Sequence, residues 1–382
     1  MLENIKSLYY EKIIFIHVEE KLKLNLIKYN KSLQQIMNIS IINYKLLSKR
    51  YIIYEANRKG KEYNSYNDEL IYEGGYLKGT RNGIGKEYYF NDVIFEGEYK
   101  NGKKNGKGKE YYYSGEIKFE GEYLNGKKWK GKEYNQYTNE FSEIINGNGF
   151  MKEYSKKGKL IFEGEYINGE KNGKGKEYYN DGIIHFDGEY SKGKRNGNGK
   201  EFNRYGKLVF EGEFLYDKKW NGNGFDNEGN IIYRIKNGKG FVKETYFGKQ
   251  IFEGDYIDGE RNGKGKIYDN MILIFEGEFL KGKKNGKGKE FNKNRNIKYE
   301  GEYLYDYKLK GKEYIKGKLE FEGEYLFDKK WNGKGYDQFG NIMYELNNGN
   351  GNIKEYDCND ELVFEGLYLN GEKKGNKFLN FI

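Results

Sequence analysis

Proline is absent from the 382 residues, alanine occurs once, at Ala56, and cysteine once, at Cys358. A single cysteine excludes an internal disulfide framework and fits a reducing compartment. The two histidines, His17 and His185, lie far apart in sequence and with Cys358 make no ligand cluster of metal spacing. No apolar run approaches the length of a membrane span, and acidic Glu3 and Glu11 do not fit a signal peptide. A cytoplasmic protein without cofactor, at most peripheral to a membrane or the cytoskeleton, is therefore expected. Aliphatic residues are also scarce. Hydrophobic residues are 36% of the chain and aromatics 18%, so burial must rest on Tyr and Phe rather than on a Leu/Val core. Abundant Lys, Asn, Ile and Tyr point to A- and T-rich coding DNA, a pressure that removes Ala, Pro and Gly together. Glycine nevertheless stands at 54, so its positions are required by the backbone.

Those glycines fall on a grid. Eleven times between Tyr72 and Phe364 an aromatic residue is followed by an acid and a glycine. The copy at Phe95 reads FEGEYKNGKKNGKGKEYY, with Gly97, Gly102, Gly106 and Gly108 at offsets 2, 7, 11 and 13. The same offsets recur from Phe162 and from Phe275. A short period repeated this often indicates an array of small identical units, an architecture that more often binds than transforms.

Within a unit, the two-residue period of a strand puts Phe95, Gly97 and Tyr99 on one face and Ile94, Glu96 and Glu98 on the other. Residues 101–106 read as a wide loop that reverses the chain, and a second strand over about 107–113 follows. Each unit is then a β-hairpin, and the array an elongated antiparallel meander. Aromatic starts are spaced 22 to 24 residues apart, except for gaps of 42 or 43 after Phe119, Phe210 and Phe321. Each gap holds a shortened unit, near Phe141, Tyr233 and Tyr344, where the wide loop gives way to a tight Asn-Gly turn; Tyr54 marks a fourth. Fifteen units and thirty strands result.

The grid aromatic-x-Gly-x4-Gly-x3-Gly-x-Gly resembles the MORN repeat over about residues 72–378. The resemblance implies an all-β, single-layer hairpin ribbon of a kind found in cytoskeletal scaffolds, at membrane contacts and as accessory segments of some enzymes. Three parts are expected: a helical N-terminal cap over 1–48, the array over 49–378 and an apolar tail over 379–382. The cap rests on helical spacing of Leu22, Leu26, Tyr29, Leu33 and Ile36. A faint F-box-like look there offers a substrate receptor of a ubiquitin ligase as the alternative function. An accessory module of an enzyme complex is a third. Phe378, Leu379, Phe381 and Ile382 either cover the last strand or join a second copy in a homodimer.

No catalytic site is expected, because Glu96 and Glu98 recur in unit after unit, whereas a catalytic pair occurs once with divergent surroundings. The glycine runs lack phosphate-loop spacing. Of the net charge of +9, residues 1–50 carry nine basic against four acidic side chains, which leaves +4 for the array. Its charge therefore matters through placement. Arg81, Lys103, Lys104, Lys127, Lys128, Lys171, Lys194, Arg195, Lys218, Lys219, Arg261, Lys283, Lys284, Lys329, Lys330, Lys373 and Lys374 all fall in the same hairpin segment. They would line one edge, as a track for an anionic phospholipid surface or an acidic filament, or as a lysine-blunted edge against aggregation. Nucleic acid is disfavoured by the interleaved acids. Trp129, Trp220 and Trp331 each follow Lys-Lys, in a loop read as one residue longer than the rest and just before a shortened unit. Each is either an anchor for a partner at a notch or a plug that fills it. The function expected is a non-catalytic scaffold that binds a partner protein or an anionic membrane through its aromatic face and basic edge.

Overall fold

The computed structural model describes residues 50–374 except 139, 247, 248, 357–361 and 370. The helical cap, the apolar tail with its proposed dimer contact, and Cys358 lie outside the described residues. What is described is all-β. It forms thirty strands, each antiparallel to its sequence neighbours wherever the two pair. The chain divides into two compact units, the first ending at Gly206 and the second beginning at Lys207.

One hairpin shows why the sequence folds this way. Strand β5 (Asp92–Lys100) and strand β6 (Lys103–Tyr111) are joined by Asn101 and Gly102 alone, at φ 52° and 80°. This left-handed pair matches the right-handed twist of the strands it joins. The six-residue loop read from sequence is therefore incorrect: Lys100 pairs with Lys103, and residues 103–106 already belong to the second strand. Gly106 looked like a loop residue because it has φ 104°, but it sits in a bulge, where residues 105–107 oppose Glu98 alone. The Glu98 carboxylate accepts the Lys107 amide at 3.2 Å and so satisfies a donor that the bulge takes out of the ladder.

Gly97 and Gly108 face each other across the strands, and a Cβ on either would come within 2.8 Å of the Phe95 ring. The bare pair thus lets the ring lie flat on the backbone. Phe95 meets Tyr99 and Tyr123 edge to face at 5.5 Å, and Tyr99 meets Tyr72 at 5.3 Å, so rings of successive hairpins interlock. The second unit repeats the pattern from Phe252 through Phe275, Tyr299 and Phe321.

In the first unit the ladder runs from β1 (Arg50–Tyr54) to β9 (Phe141–Ile144), opens, and resumes at β10 (Gly149–Tyr154). In the second it opens between β17 (Ile231–Ile235) and β18 (Gly240–Tyr246), and again between β27 (Ile342–Leu346) and β28 (Gly351–Tyr356). These are the three shortened hairpins, each held by one bridge pair around its Asn-Gly turn. Full and shortened hairpins therefore differ in pairing, not in turn width.

The edge that carries these turns is stitched. The Gly102 amide donates to the Arg81 carbonyl, Gly126 to Lys104, Gly193 to Lys171 and Gly282 to Arg261, all at 2.8–2.9 Å. The Asn125 amide donates to Oδ1 of Asn105 at 3.0 Å, a use for the second asparagine of the repeat.

Candidate functional site: the charged face and its trench

The aromatic face is closed. Phe95 is 1% exposed and Tyr99 4%, and the equivalent rings of the other full hairpins are buried as well, except Tyr256, which is half-buried. The expectation that this face binds a partner is corrected by that burial. Its cover comes from the residues expected to form a basic track. The Lys104 amine sits 3.8 Å from the Phe95 centroid and pairs with Glu110 at 3.2 Å and Glu87 at 3.4 Å. Arg81 lies 4.2 Å over Tyr72 and pairs with Glu62 and Glu87. Lys284 covers Phe275 and pairs with Glu290, and Lys330 covers Phe321 and pairs with Glu320. Arg195 covers Phe186 and pairs with Glu177; Lys128 covers Phe119 and pairs with Glu133; Lys219 covers Phe210. Lys171, Arg261 and Lys373 repeat the arrangement on Phe162, Phe252 and Phe364. Burial alone would raise the Glu110 pKa, but Lys128, Lys104 and Lys118 more than reverse that and hold the carboxyl far below its ordinary range. Glu177, Glu244 and Glu290 are likewise lowered, through Arg195, Arg261 and Lys284, against the opposing effect of burial.

The outer lysine of each doublet has a different use. Lys127 pairs with Glu170 at 2.8 Å, Lys218 with Glu260 at 3.0 Å and Lys329 with Glu372 at 2.6 Å, each across a shortened hairpin. Lys283 pairs with Asp306 at 3.4 Å, and Lys374 with Glu372 at 3.2 Å. Lys103 and Lys194 complete the edge, both exposed. Beneath each Lys–Glu latch lies a tryptophan. Its hairpin is one residue shorter than the Phe95 type, not longer: Trp129, Trp220 and Trp331 are each the single extra residue of a tighter bulge, a form that the Tyr299 hairpin shares with Leu309 in that place. Each indole packs on the turn glycine of the shortened hairpin, so closely that a Cβ on Gly147, Gly238 or Gly349 would come within 2.7 Å of it. Those glycines donate their amides to the carbonyls of Trp129, Trp220 and Trp331 at 2.6–2.8 Å. Trp331 is 3% exposed and fills its notch, while Trp129 and Trp220 are half-buried on the equivalent glycine.

One residue that the sequence reading passed over also belongs to this closed side. The Lys156 amine donates to the carbonyls of Ile94 at 3.4 Å and Tyr111 at 3.2 Å. Burial, reinforced by Lys118, Lys104 and Lys128 against the pull of Glu110, lowers its pKa to about 8. Nothing in its sequence context separates it from other turn lysines, since its acceptors are 45 and 62 residues away.

The opposite face is open. In several motifs the first acid accepts a tyrosine hydroxyl from the next strand, as Glu96 does from Tyr111 at 2.5 Å, Glu163 from Tyr178 at 2.6 Å and Glu300 from Tyr314 at 2.6 Å. Lysines and acids alternate across the strands, with pairs such as Lys109–Glu120 at 2.9 Å and Lys289–Glu300 at 3.4 Å. In the second unit this face carries a trench of 780 Å³. Gly265, Gly277, Gly288, Gly301 and Gly311 make its floor: these positions face the rings on the other side of the sheet, so only backbone lies between two charged rails.

Hairpins in register, ring-over-glycine packing and bulge-capping acids define a β-hairpin repeat protein. The chain is a MORN-repeat protein: the MORN repeat model matches residues 72–92, 95–117, 162–184, 186–203, 252–270 and 275–295. No curated protein matches the chain in sequence. Among solved structures it is similar to a protein of unknown function from Bacteroides caccae, at 10% identity and a TM-score of 0.15, over 83% of this chain and 93% of that one. It is also similar to TcdB2-TccC3 without its hypervariable C-terminal region, at 9% identity and a TM-score of 0.16, over 90% of this chain and 20% of that one.

Proposed function

We propose that the chain is a non-catalytic cytoplasmic scaffold that binds a partner protein on its charged face. The observation that carries this reading is the asymmetry of the sheet. The aromatic face is filled by its own rings, cations and acids, and Lys127, Lys218 and Lys329 on the edge are latched to glutamates, whereas the glycine-floored trench is a large concave surface left open. An anionic membrane is the weaker reading, because cations already paired with acids attract lipid phosphate less.

Affinity capture with the intact chain tests this beside two variants. Lys264→Glu/Lys287→Glu/Lys310→Glu alters the trench, and Lys103→Glu/Lys194→Glu/Lys283→Glu alters the edge. The expected result is a reproducible, mass-identified partner lost with the first variant and kept with the second, together with no pelleting on phosphatidylserine vesicles at physiological salt. Vesicle pelleting that disappears with the edge variant, without loss of any partner from the trench variant, overturns it.

A further inference from the structure

The two rails of the trench are not alike. One runs Glu276, Lys289, Glu300, Lys312, Glu322, and its charges are spent on each other, with Lys289–Glu300 at 3.4 Å and Lys312–Glu322 at 3.5 Å. The other carries Lys264, Lys287 and Lys310, exposed and with no carboxylate within ion-pair distance among the described residues. Two acids of this row are turned to the backbone as bulge caps, Asp255 accepting the Lys264 amide at 3.1 Å and Glu278 the Lys287 amide at 2.9 Å, while Glu302 stands opposite both Lys287 and Lys310. At the head of this rail, opposite Asp255, stands Phe241, 55% exposed. The corresponding rows of the first unit are less regular. One runs Ile84, Lys107, Lys130, and in the other, which runs Phe150, Lys174, Asn198, the asparagine stands where the second cation would.

Spacing selects the shape of what can lie here. Phe241, Lys264, Lys287 and Lys310 stand on β18, β20 (Glu260–Asp269), β22 (Lys283–Phe291) and β24 (Tyr307–Ile315), every second strand, and so about 10 Å apart. The rails are two residues apart along each strand, about 7 Å. That width admits an extended chain and refuses an α-helix of about 10 Å diameter. An extended chain in the polyproline II conformation has three residues per turn and rises about 3.1 Å per residue, so every third side chain faces the same way about 9 Å further on and meets the next rail position. Glu302 stands between Lys287 and Lys310, so an acid out of phase meets repulsion.

We infer that the trench of the second unit binds an extended segment of a partner protein that carries an apolar residue followed by acidic residues at every third position. The apolar residue packs on Phe241, and the three carboxylates pair with Lys264, Lys287 and Lys310. This rests on the partner-binding reading above and narrows it to one class of ligand.

The test is fluorescence anisotropy on the intact chain at physiological salt, with two labelled peptides of one composition, FSTESTESTE and FSSTTEEEST. The first is expected to bind at least about tenfold more tightly, and Lys287→Glu to erase that preference, whereas Lys107→Glu in the first unit leaves it unchanged. Equal affinity for the two peptides, no binding of either, or displacement by polyphosphate at matched charge as efficiently as by FSTESTESTE overturns the inference. Thermal melting of each variant checks that its fold is intact. If the peptides fail while the trench variant still loses its captured partner, the spacing rule falls and the scaffold reading stands.

Discussion

Two faces of the same strands, built from alternate residues of one motif, have opposite fates. On the aromatic side Phe95 lies on a glycine pair, Lys104 lies on Phe95, and Glu110 and Glu87 hold Lys104, so a single sheet supplies both its core and the lid over it. On the other side Glu96 and Lys109 are half-exposed, held by Tyr111 and Glu120 but not lidded by a second layer. Apolar content therefore does not identify the binding surface here. The apolar side is consumed by folding, and the polar side keeps the open ground.

The contrast can be broken by mutation. Phe275→Ala should cost about 3–5 kcal/mol in urea unfolding of the intact chain, since the ring is buried against Gly277 and Gly288. Glu276→Ala, one residue away on the open face, should stay within about 0.5 kcal/mol. Similar costs at the two positions would end the distinction. Gly288→Ala should cost about 1–3 kcal/mol, because its Cβ would come within 2.7 Å of the Phe275 ring.

Acid sharpens the same comparison. Glu110, Glu177, Glu244 and Glu290 have pKa values held below the ordinary 4.5, so their contribution is present above that value and is lost as pH falls below it. Melting temperature should drop steeply below about pH 4.5. Lys104→Met, which removes one cation from Glu110, should make that drop shallower. The smallest effect belongs to the latch: Lys329→Ala should cost no more than about 1 kcal/mol, because Lys329 and Glu372 are both about half exposed. A larger loss would show that the latch, and not Trp331 beneath it, holds the shortened hairpin.

Much of this was legible in sequence. The alternation of Phe95, Gly97 and Tyr99 gave the faces, and the glycine grid gave the hairpins, because a ring against backbone leaves no room for another residue. The point of reversal was not legible, since Gly106 has the composition of a loop and the geometry of a bulge. That one error carried Lys103 and Lys104 out of the strand and made a track of residues that mostly cover rings or close latches. Lys104 and Gly108 share strand parity and could have been placed together. Lys128 and Gly131 share a face although three residues apart, because Trp129 is the extra residue between them. No rule of alternation anticipates that. The trench was missed for another reason: its floor is backbone, and the glycines along it were read only for the ring face.

The stitched edge has a consequence for how such a chain changes over generations. On this edge Gly102, Gly126, Gly193 and Gly282 each donate to a backbone carbonyl of the preceding hairpin, which offers it in the same place, as the Gly126–Lys104 and Gly282–Arg261 bonds show. A gene duplication or deletion that adds or removes one whole repeat therefore brings together two ends that already fit, and the seam heals with the same bonds between new neighbours. Loss of a single codon inside a turn has no such remedy. The length of this protein can thus vary in steps of one hairpin, and with it the number of rail positions offered to a ligand.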